Sequence, residues 1–145
     1  MNIKYVKLDK NAIVPSYGTE FSAGADIYSL PGSAVNIEPG ETVMIHTGIA
    51  VQIPDGYVGL IYARSGIATK RGLAPANKVG VIDSDYRGEI MVSLHNHSKV
   101  AQTIELGERV AQLVITQYFK AEFSECDSLD ETKRQSGGFG STGTK

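Results

Sequence analysis

Residues 87–95 read RGEIMVSLH, and this stretch decides the fold class of the chain. The Arg87-Gly88 pair is a turn signal, and the residues after it alternate between apolar and polar side chains. Residues 42–46, TVMIH, show the same alternation, which is typical of a strand with one buried face. Three more turn signals separate runs rich in Val, Ile, Thr and Tyr: Pro39-Gly40, Asp55-Gly56 and Leu106-Gly107. Many short strands at turn-marked intervals predict a β-sandwich or barrel.

Two segments depart from this alternation. The stretch from Val110 to Phe119 is more continuously apolar, which predicts a strand covered on both faces. Residues 65–72, SGIATKRG, begin with a serine and end with two basic residues and a glycine. These are the signals of a short helix capped by Ser65 and Gly72, and we expect it to be the only helix of note.

The composition restricts the class of protein. The chain has 145 residues, enough for one packed domain, and a formal net charge of -2, which argues against a general nucleic-acid binder. Its apolar runs fall short of the roughly 18 residues of a membrane helix, and its N-terminus lacks the apolar core of a secretion signal. The single cysteine, Cys126, excludes an internal disulfide. We therefore expect a cytoplasmic protein that binds neither nucleic acid directly nor membranes.

The chain changes character at residue 124. Residues 124–134 are polar and charged, and six of the eight residues from Ser136 to Gly143 are Gly or Ser. We expect a core over residues 1–123 and a mobile arm over 124–145. Because glycine amides can close on phosphate oxygens and the Phe139 ring can stack on a flat base, the arm is either a lid or a disordered terminus with a stray aromatic.

Arg64, Ser65 and Gly66 stand at the start of the predicted helix. Free backbone N–H groups at a helix start bind phosphate, and the arginine adds a fork of donors. A glycine here would let a ligand approach the backbone closely. The alternative is an ordinary capped helix with an exposed arginine.

Asp83 is the strongest candidate for acid–base chemistry. It directly follows Val81-Ile82, so partial burial at the edge of a strand would raise its basicity enough to activate water. The alternative is a turn in which Asp85 pairs with Arg87.

A metal ion is implied by the acids rather than by the histidines. Asp26 lies among small residues before an apolar stretch, and carboxylates near a phosphate site usually imply Mg²⁺ held through waters. His95 and His97 lie two apart, hence on one face of a strand, but no third ligand is near in the sequence. We do not expect a histidine metal site.

Five segments, in order, resemble the motifs of the homotrimeric dUTPases. The third and the fifth are long and distinctive. Together the segments run from residue 23 nearly to the C-terminus: AGADIYS (23–29), ARSGIATKRG (63–72), NKVGVIDSDYRGEI (77–90), GERVAQLVI (107–115) and RQSGGFGSTG (134–143).

The resemblance implies an all-β, jelly-roll-like (β-clip) subunit with one short helix and a flexible C-terminal arm. It also implies a homotrimer whose active sites are shared between subunits. The implied activity is that of a dUTP diphosphatase, in which water attacks the α-phosphorus of dUTP, with Mg²⁺, to give dUMP and pyrophosphate. Such a reaction limits uracil incorporation into DNA and supplies dUMP for dTMP synthesis.

The resemblance also implies roles for single residues at the phosphates. Asp83 resembles the general base that activates water, and Gln112 resembles the residue placed at a phosphate or at that water. Asp26 resembles the acid that holds the water shell of the metal. The positions that resemble phosphate ligands are Arg64, Ser65, Gly66 and Arg134.

Further positions resemble the nucleoside site of the family. Tyr86 resembles the floor that crowds out a ribose 2′-hydroxyl, and Phe139 resembles the ring that closes over uracil. The uracil-reading hairpin is matched by Asn77 and by the backbone of Gly80, Val81, Ile82 and Asp83. The closing arm is matched by Gly140, Ser141 and Thr142.

Two departures from the family pattern are present. Ala25 stands where a larger residue often precedes the motif aspartate, and Gln135 replaces a glycine common after the motif arginine. Two other functions remain open: a dCTP deaminase relative, which shares the fold and would release ammonia, and a non-catalytic binding module. Asp83 argues against the second, since a pure binder does not need a water-activating acid.

Overall fold

A computed structural model describes residues 1–30, 32 and 34–138 of the chain. Within these residues there are twelve strands and one helix, which confirms the predicted strand-rich fold class. The strands are β1 (Lys4–Lys7), β2 (Ser16–Tyr17), β3 (Ala25–Tyr28), β4 (Val35–Ile37), β5 (Thr42–His46), β6 (Ile49–Gln52), β7 (Tyr57–Ala63), β8 (Leu73–Pro75), β9 (Gly80–Ile82), β10 (Met91–Asn96), β11 (Gln102–Ile104) and β12 (Arg109–Gln117), and the helix α1 is Ser65–Arg71.

The strands form one large antiparallel sheet and three smaller ones. The large sheet has the order β2-β3-β12-β7-β9, so β12 is central and pairs on both sides. The smaller sheets are β5-β10-β8, β1-β6 and β11-β4. The predicted strand from Val110 to Phe119 is this central strand, but it ends at Gln117. Tyr118 and Phe119 lie beyond it, and Phe119 is 98% exposed.

The alternating patterns form strands with one buried face, as predicted. In β10, Val92 and Leu94 are fully buried while Met91 is exposed, and in the paired β5 only Ile45 is buried. The hydrophobic core collects apolar side chains from all four sheets, which include Ile27, Ile37, Ile45, Ile49, Ile53, Ile61, Leu73, Ile90, Leu94, Ile104 and Val110.

Three of the four turn signals form tight turns with a left-handed glycine. Gly40, Gly56 and Gly107 have φ values of 78°, 80° and 67°, a region that glycine adopts without steric cost. Arg87-Gly88 is different, because it lies inside the loop of residues 83–90 that joins β9 to β10. The prediction of a tight turn at Arg87-Gly88 is therefore wrong.

The helix is present, but its first cap differs from the prediction. Ser65 is the first helical residue, and the N-cap is Arg64, whose φ of -80° and ψ of 131° are extended. The cap has no side-chain hydrogen bond, so the predicted serine cap is wrong. Gly72 ends the helix in the left-handed region, and its backbone N–H binds the carbonyls of Ala68 and Ile67.

The described chain after β12 has a different character. Residues 118–138 contain neither helix nor strand, and nearly all of them are exposed. Phe123 is 99% exposed, and Cys126 is an exposed free thiol. In the part of the chain that the structure describes, no helix is long and apolar enough to cross a membrane.

Asn96, at the end of β10, is a fully buried polar residue with a complete set of partners. Its side-chain amide donates to the carbonyl oxygens of Ile37 at 2.9 Å and of Val100 at 2.8 Å. Its side-chain oxygen accepts the N–H of Ser98 at 2.9 Å and the Ser98 hydroxyl at 2.7 Å. One side chain thus joins the end of β10 to β4 and to the loop before β11.

We expect Asn96→Ala to destabilise the protein by about 3 kcal/mol, because the buried Ile37 carbonyl loses its donor and a cavity is left. Urea denaturation at one fixed protein concentration measures this. Asn36→Ala is the matched control, since Asn36 is exposed and, among the described residues, its side chain bonds to the side chains of Glu38 and Thr103. An equal loss of stability in both variants would contradict the role of Asn96.

The turn between β5 and β6 is held by Glu89. The Oε1 atom of Glu89 accepts the N–H of Thr47 at 3.0 Å and of Gly48 at 2.7 Å, and Oε2 lies 2.9 Å from Nδ1 of His46. Burial alone would raise the pKa of Glu89. The bonds from His46, Gly48 and Thr47 outweigh burial and hold this pKa below its usual value of 4.5.

This lowered pKa predicts a pH dependence of stability. A carboxyl whose pKa is lower in the folded state stabilises the protein above the unfolded pKa, and this contribution is lost as the pH falls below about 4.5. We expect Glu89→Gln to be less stable than the wild type at pH 6 but to approach it near pH 3. Thermal melts across this range measure the difference, and a constant difference at all pH values would contradict the prediction.

Candidate active site

Three neighbouring strands of the large sheet bring the predicted phosphate residues together. Gln112 of β12 lies opposite Asp26 of β3 on one side and Tyr62 of β7 on the other. Arg64 follows two residues after Tyr62, so Asp26, Gln112 and Arg64 meet at one end of the sheet. Gly24 lets Gln112 lie close to the chain, because a Cβ added there would be 3.2 Å from the Gln112 Cβ.

Asp26 is buried, only 5% exposed, and is paired with two arginines. Arg64 Nε donates to Oδ1 at 2.7 Å, and Arg109 Nη1 donates to Oδ2 at 3.2 Å. A buried carboxylate needs such partners, since removing it from water is costly. Arg64 also contacts the Arg109 carbonyl at 3.5 Å, and its guanidinium keeps further N–H groups beyond these bonds.

Arg109 is the residue of this cluster that sequence reasoning missed. A β-bulge between Arg109 and Ala111 shifts the register of β12 against β3, and bulges redirect side chains. The arginine stands within the segment GERVAQLVI, but its partner Asp26 is 83 residues away. The signal that the sequence offers is a charged residue at the start of a strand whose next two residues, Val110 and Ala111, are apolar.

Ser65 and Gly66 lie beside this cluster on the exposed first turn of α1. A Cβ added at Gly66 would meet no atom within 4 Å. Packing within the chain therefore does not require a glycine at this position, and the backbone there is open to approach.

Asn77 and the strand β9 form a second cluster. The chain turns at residues 76–79, where the N–H of Lys78 donates to the Pro75 carbonyl at 3.0 Å. β8 pairs with β10, whereas β9 pairs with β7, so this turn links two sheets instead of closing a hairpin ladder. Asn77 and Gly80 border a depression of about 170 Å³ whose lining also includes Ile61, Pro75, Val81, Ile82 and Ser93.

Asp83 and Tyr86 share a neighbouring depression of about 260 Å³. Its remaining lining consists of Met44, Val81, Ile82, Glu89 and Met91. The Tyr86 ring is 40% exposed, and its hydroxyl donates to the Glu89 carbonyl at 2.9 Å. An acid and a tethered aromatic ring thus stand at one opening, with an apolar wall beside them.

Two expectations about this loop are wrong. Asp83 is exposed in the single chain, because it lies just past the end of β9, so the partial burial expected at the strand edge is absent. Arg87 does not pair with Asp85. Its Nη1 donates to the backbone carbonyls of Ser84 at 2.6 Å and Tyr86 at 2.9 Å, which closes the loop locally.

The two clusters are separated within one chain. Ile82, the residue before Asp83, lies opposite Gly59 of β7. Arg64 lies five residues after Gly59, which corresponds to about 16 Å between the backbone positions of Gly59 and Arg64. One chain alone therefore does not bring Asp83 to the residues around Arg64.

Arg134 lies in a turn of the exposed C-terminal segment, where its Nε donates to the Gly137 carbonyl at 2.8 Å. Gln135, which stands in place of the family's glycine, has a φ of 47°, in the left-handed region that glycine favours. Its N–H donates to Thr132. The other predicted arm residues, Phe139, Gly140, Ser141 and Thr142, lie outside the described residues.

The described residues hold no group of three or more His, Cys, Asp or Glu side chains that could bind a metal directly. His95 and His97 contact each other, with ring centroids 4.3 Å apart, and His95 Nδ1 lies 2.8 Å from the Thr42 hydroxyl. Asp26 is the one carboxylate in the phosphate cluster. This donor set fits an ion held by phosphate oxygens and water, with Asp26 in its outer shell, because Mg²⁺ keeps several waters in such sites.

The sequence and the fold of this chain match those of known proteins. A sequence model of the dUTPase family matches residues 10–143. The deoxyuridine 5′-triphosphate nucleotidohydrolase of Desulfitobacterium hafniense is 48% identical over 144 residues, which are 99% of this chain and 95% of that protein.

Solved structures of dUTPases have a fold similar to that of this chain. A mutant dUTPase of Staphylococcus bacteriophage 80alpha with dUpNHpp has a TM-score of 0.89 at 30% identity, covering 98% of each chain. A mutant dUTPase from phage phi11 of S. aureus, described with a structural Mg(II) ion, has a TM-score of 0.79 at 28% identity, covering 88% of this chain and 98% of that one.

These matches span nearly the whole chain and include all five motif segments. They confirm the resemblance and, through the structural agreement, the predicted jelly-roll-like β fold. The chain therefore belongs to the dUTPase family.

Proposed function

We propose that this protein hydrolyses dUTP to dUMP and pyrophosphate. The observation that carries the proposal is the shared opening of Asp83 and Tyr86, where an exposed carboxylate stands beside an aromatic floor and an apolar wall. Such an opening suits a base and a sugar next to a reacting phosphate. The reaction limits uracil incorporation into DNA and supplies dUMP for dTMP synthesis.

In the proposed mechanism the Asp83 carboxylate takes a proton from water. The water oxygen bonds to the α-phosphorus, and the bond from that phosphorus to the bridging oxygen breaks, so that pyrophosphate leaves. Asp83 suits this role because it is exposed and the structure records no ion pair for it among the described residues. Gln112 orients the water or binds a phosphate oxygen from the neighbouring cluster.

Charge neutralisation falls to local groups, since the net charge of the chain is -2. Arg64 binds phosphate oxygens with the N–H groups that Asp26 leaves free, and Ser65 and the open backbone at Gly66 add donors. Asp26 and Arg109 hold Arg64 in a fixed orientation, which favours charge stabilisation in the transition state. A bound Mg²⁺, with its waters held by Asp26, would supply further charge neutralisation on the phosphates.

Base and sugar recognition belong to the second cluster. Asn77 and the backbone of Gly80, Val81 and Ile82 would pair with the polar edge of uracil. A site built to pair these edges rejects a base that leaves them unpaired. Tyr86 would exclude ribose sterically, because its ring stands at the same opening as Asp83.

We propose a homotrimer in which each active site takes residues from more than one chain. Within one chain Ile82 lies opposite Gly59, and five residues of extended chain, about 16 Å, separate Gly59 from Arg64, which supports this arrangement. Asp83 and Arg64 must reach one reacting phosphate and its attacking water, and a second copy would bring its own Asp83 to Arg64.

We also assign residues 124–145 to a closing arm and residues 1–123 to the core. The last strand ends at Gln117, and the described residues 118–138 belong to no sheet. In the closed state Arg134 would bind the terminal phosphate and Phe139 would cover uracil, with Gly140, Ser141 and Thr142 completing the lid. Closure would exclude all water except the nucleophile.

Activity can be tested with dUTP, dTTP, dCTP and UTP in the presence of Mg²⁺, measuring pyrophosphate and ammonia together. We expect pyrophosphate from dUTP alone. Asp83→Asn should lower kcat about 1000-fold while the KD for a non-hydrolysable imido analogue of dUTP changes little, because the base is lost and the shape is kept.

Asp85→Asn is the matched control, since Asp85 is an exposed carboxylate of the same loop, and it should keep wild-type activity. Ammonia from dCTP would indicate a deaminase instead. No product from any nucleotide would leave a binding module, and full activity of Asp83→Asn would contradict the assigned base.

Deletion of residues 134–145 should leave the fold and the number of subunits unchanged but lower kcat at least about 100-fold, because water and phosphate are no longer enclosed. Refolding this deletion variant together with Asp83→Asn should restore part of the activity if Asp83 and the arm come from different chains. An inactive mixture of correctly assembled protein would contradict the proposal that Asp83 and the arm of one site come from different chains.

A further inference from the structure

The loop between β9 and β10 folds back on itself at Gly88. The Tyr86 ring lies across the Gly88 backbone, so a Cβ added at Gly88 would be 2.4 Å from the Tyr86 hydroxyl oxygen and 2.6 Å from its Cζ. Contacts under 3 Å between carbon and a ring are not tolerated, and the φ of Gly88 is not in the left-handed region. A side chain at position 88 would therefore have to displace the Tyr86 ring, whereas the backbone conformation itself does not require glycine.

The hydroxyl of Tyr86 reaches a fixed acceptor. It donates to the Glu89 carbonyl at 2.9 Å. The Ile90 N–H, which shares a peptide plane with the Glu89 carbonyl, donates to the Ile49 carbonyl at 2.8 Å. In the following peptide unit the Ile90 carbonyl accepts the Thr47 hydroxyl at 2.6 Å. The acceptor of the tyrosine thus belongs to a stretch of backbone that cannot shift freely.

The Glu89 side chain extends this attachment to the turn between β5 and β6. Its carboxylate accepts two backbone N–H groups, from Thr47 and Gly48, and contacts His46. The Glu89 side chain is only 20% exposed. Glu89 therefore binds Tyr86 with its main chain and the β5–β6 turn with its side chain. Tyr86 and Glu89 both line the opening that also contains Asp83.

We propose that Gly88 and Glu89 are positioning residues that set the place of the Tyr86 ring and so determine discrimination against a ribose 2′-hydroxyl. The inference rests on the proposed function. Gly88 makes room for the ring, and Glu89 holds its hydroxyl. Both act through Tyr86 and touch no reacting atom.

The test compares kcat/KM for dUTP and for UTP in purified full-length variants. Gly88→Ala and Glu89→Ala should each raise the UTP to dUTP ratio roughly tenfold, because a displaced ring no longer blocks the 2′-hydroxyl. Glu89→Gln should restore most of the discrimination, since its amide oxygen can still accept both N–H groups. Tyr86→Phe, which removes only the hydroxyl, should shift the ratio in the same direction as Glu89→Ala.

A double-mutant cycle separates positioning from general weakening of the fold. In a Tyr86→Ala background, Gly88→Ala and Glu89→Ala should cause no further change in the ratio, because the ring through which they act is gone. Ile37→Val, a change at a fully buried position of strand β4 that does not line the opening of Asp83 and Tyr86, is the control for stability. It should lower Tm without changing the ratio.

An unchanged ratio in Gly88→Ala, Glu89→Ala and Tyr86→Phe, with only a lower Tm as in the control, would overturn the inference. The same would follow from equal shifts with and without the Tyr86 ring. If Gly88→Ala does not fold, Tyr86→Phe and the Glu89 pair decide the outcome. Wild-type protein that releases no pyrophosphate from dUTP would overturn the proposed function itself, whereas an active wild type with unresponsive variants overturns only this inference.

Discussion

The antiparallel pairing of β12 with β3 and β7 is the constraint on which the rest of the structure depends. Because side chains alternate along a strand, a slip of one residue would turn Gln112 to the opposite face and separate it from Asp26. The bulge at Arg109 is the one irregularity in this ladder, and it places a cation beside the buried carboxylate. Backbone hydrogen bonding thus sets the chemistry at this end of the sheet.

The buried charge of Asp26 has consequences for both stability and function. Two guanidinium groups compensate it, so the three side chains form one unit whose members depend on each other. Arg64 is thereby oriented before any ligand arrives, and its conformational freedom is already reduced. Binding a polyanion then requires little rearrangement of the protein.

Sequence patterns predicted local features well and distant pairings poorly. The alternation in TVMIH and the glycine at position 72 act over a few residues, so strand faces and the helix end followed directly. The pairing of Arg109 with Asp26 depends on a bulge and on two strands distant in sequence, which no local pattern contains. The position of Asp83 after Val81-Ile82 made it a candidate base, but the burial expected there was wrong, because its exposure depends on where β9 ends.

The exposed thiol of Cys126 has a chemical consequence. It is the only cysteine in the sequence, so oxidation to a disulfide can join this chain only to another molecule. The bond would form between residues that precede the C-terminal turn at Arg134, far along the chain from the strands of the core. Storage without a reductant would therefore couple copies through their C-terminal segments, and apparent molecular mass would depend on the redox state of the buffer.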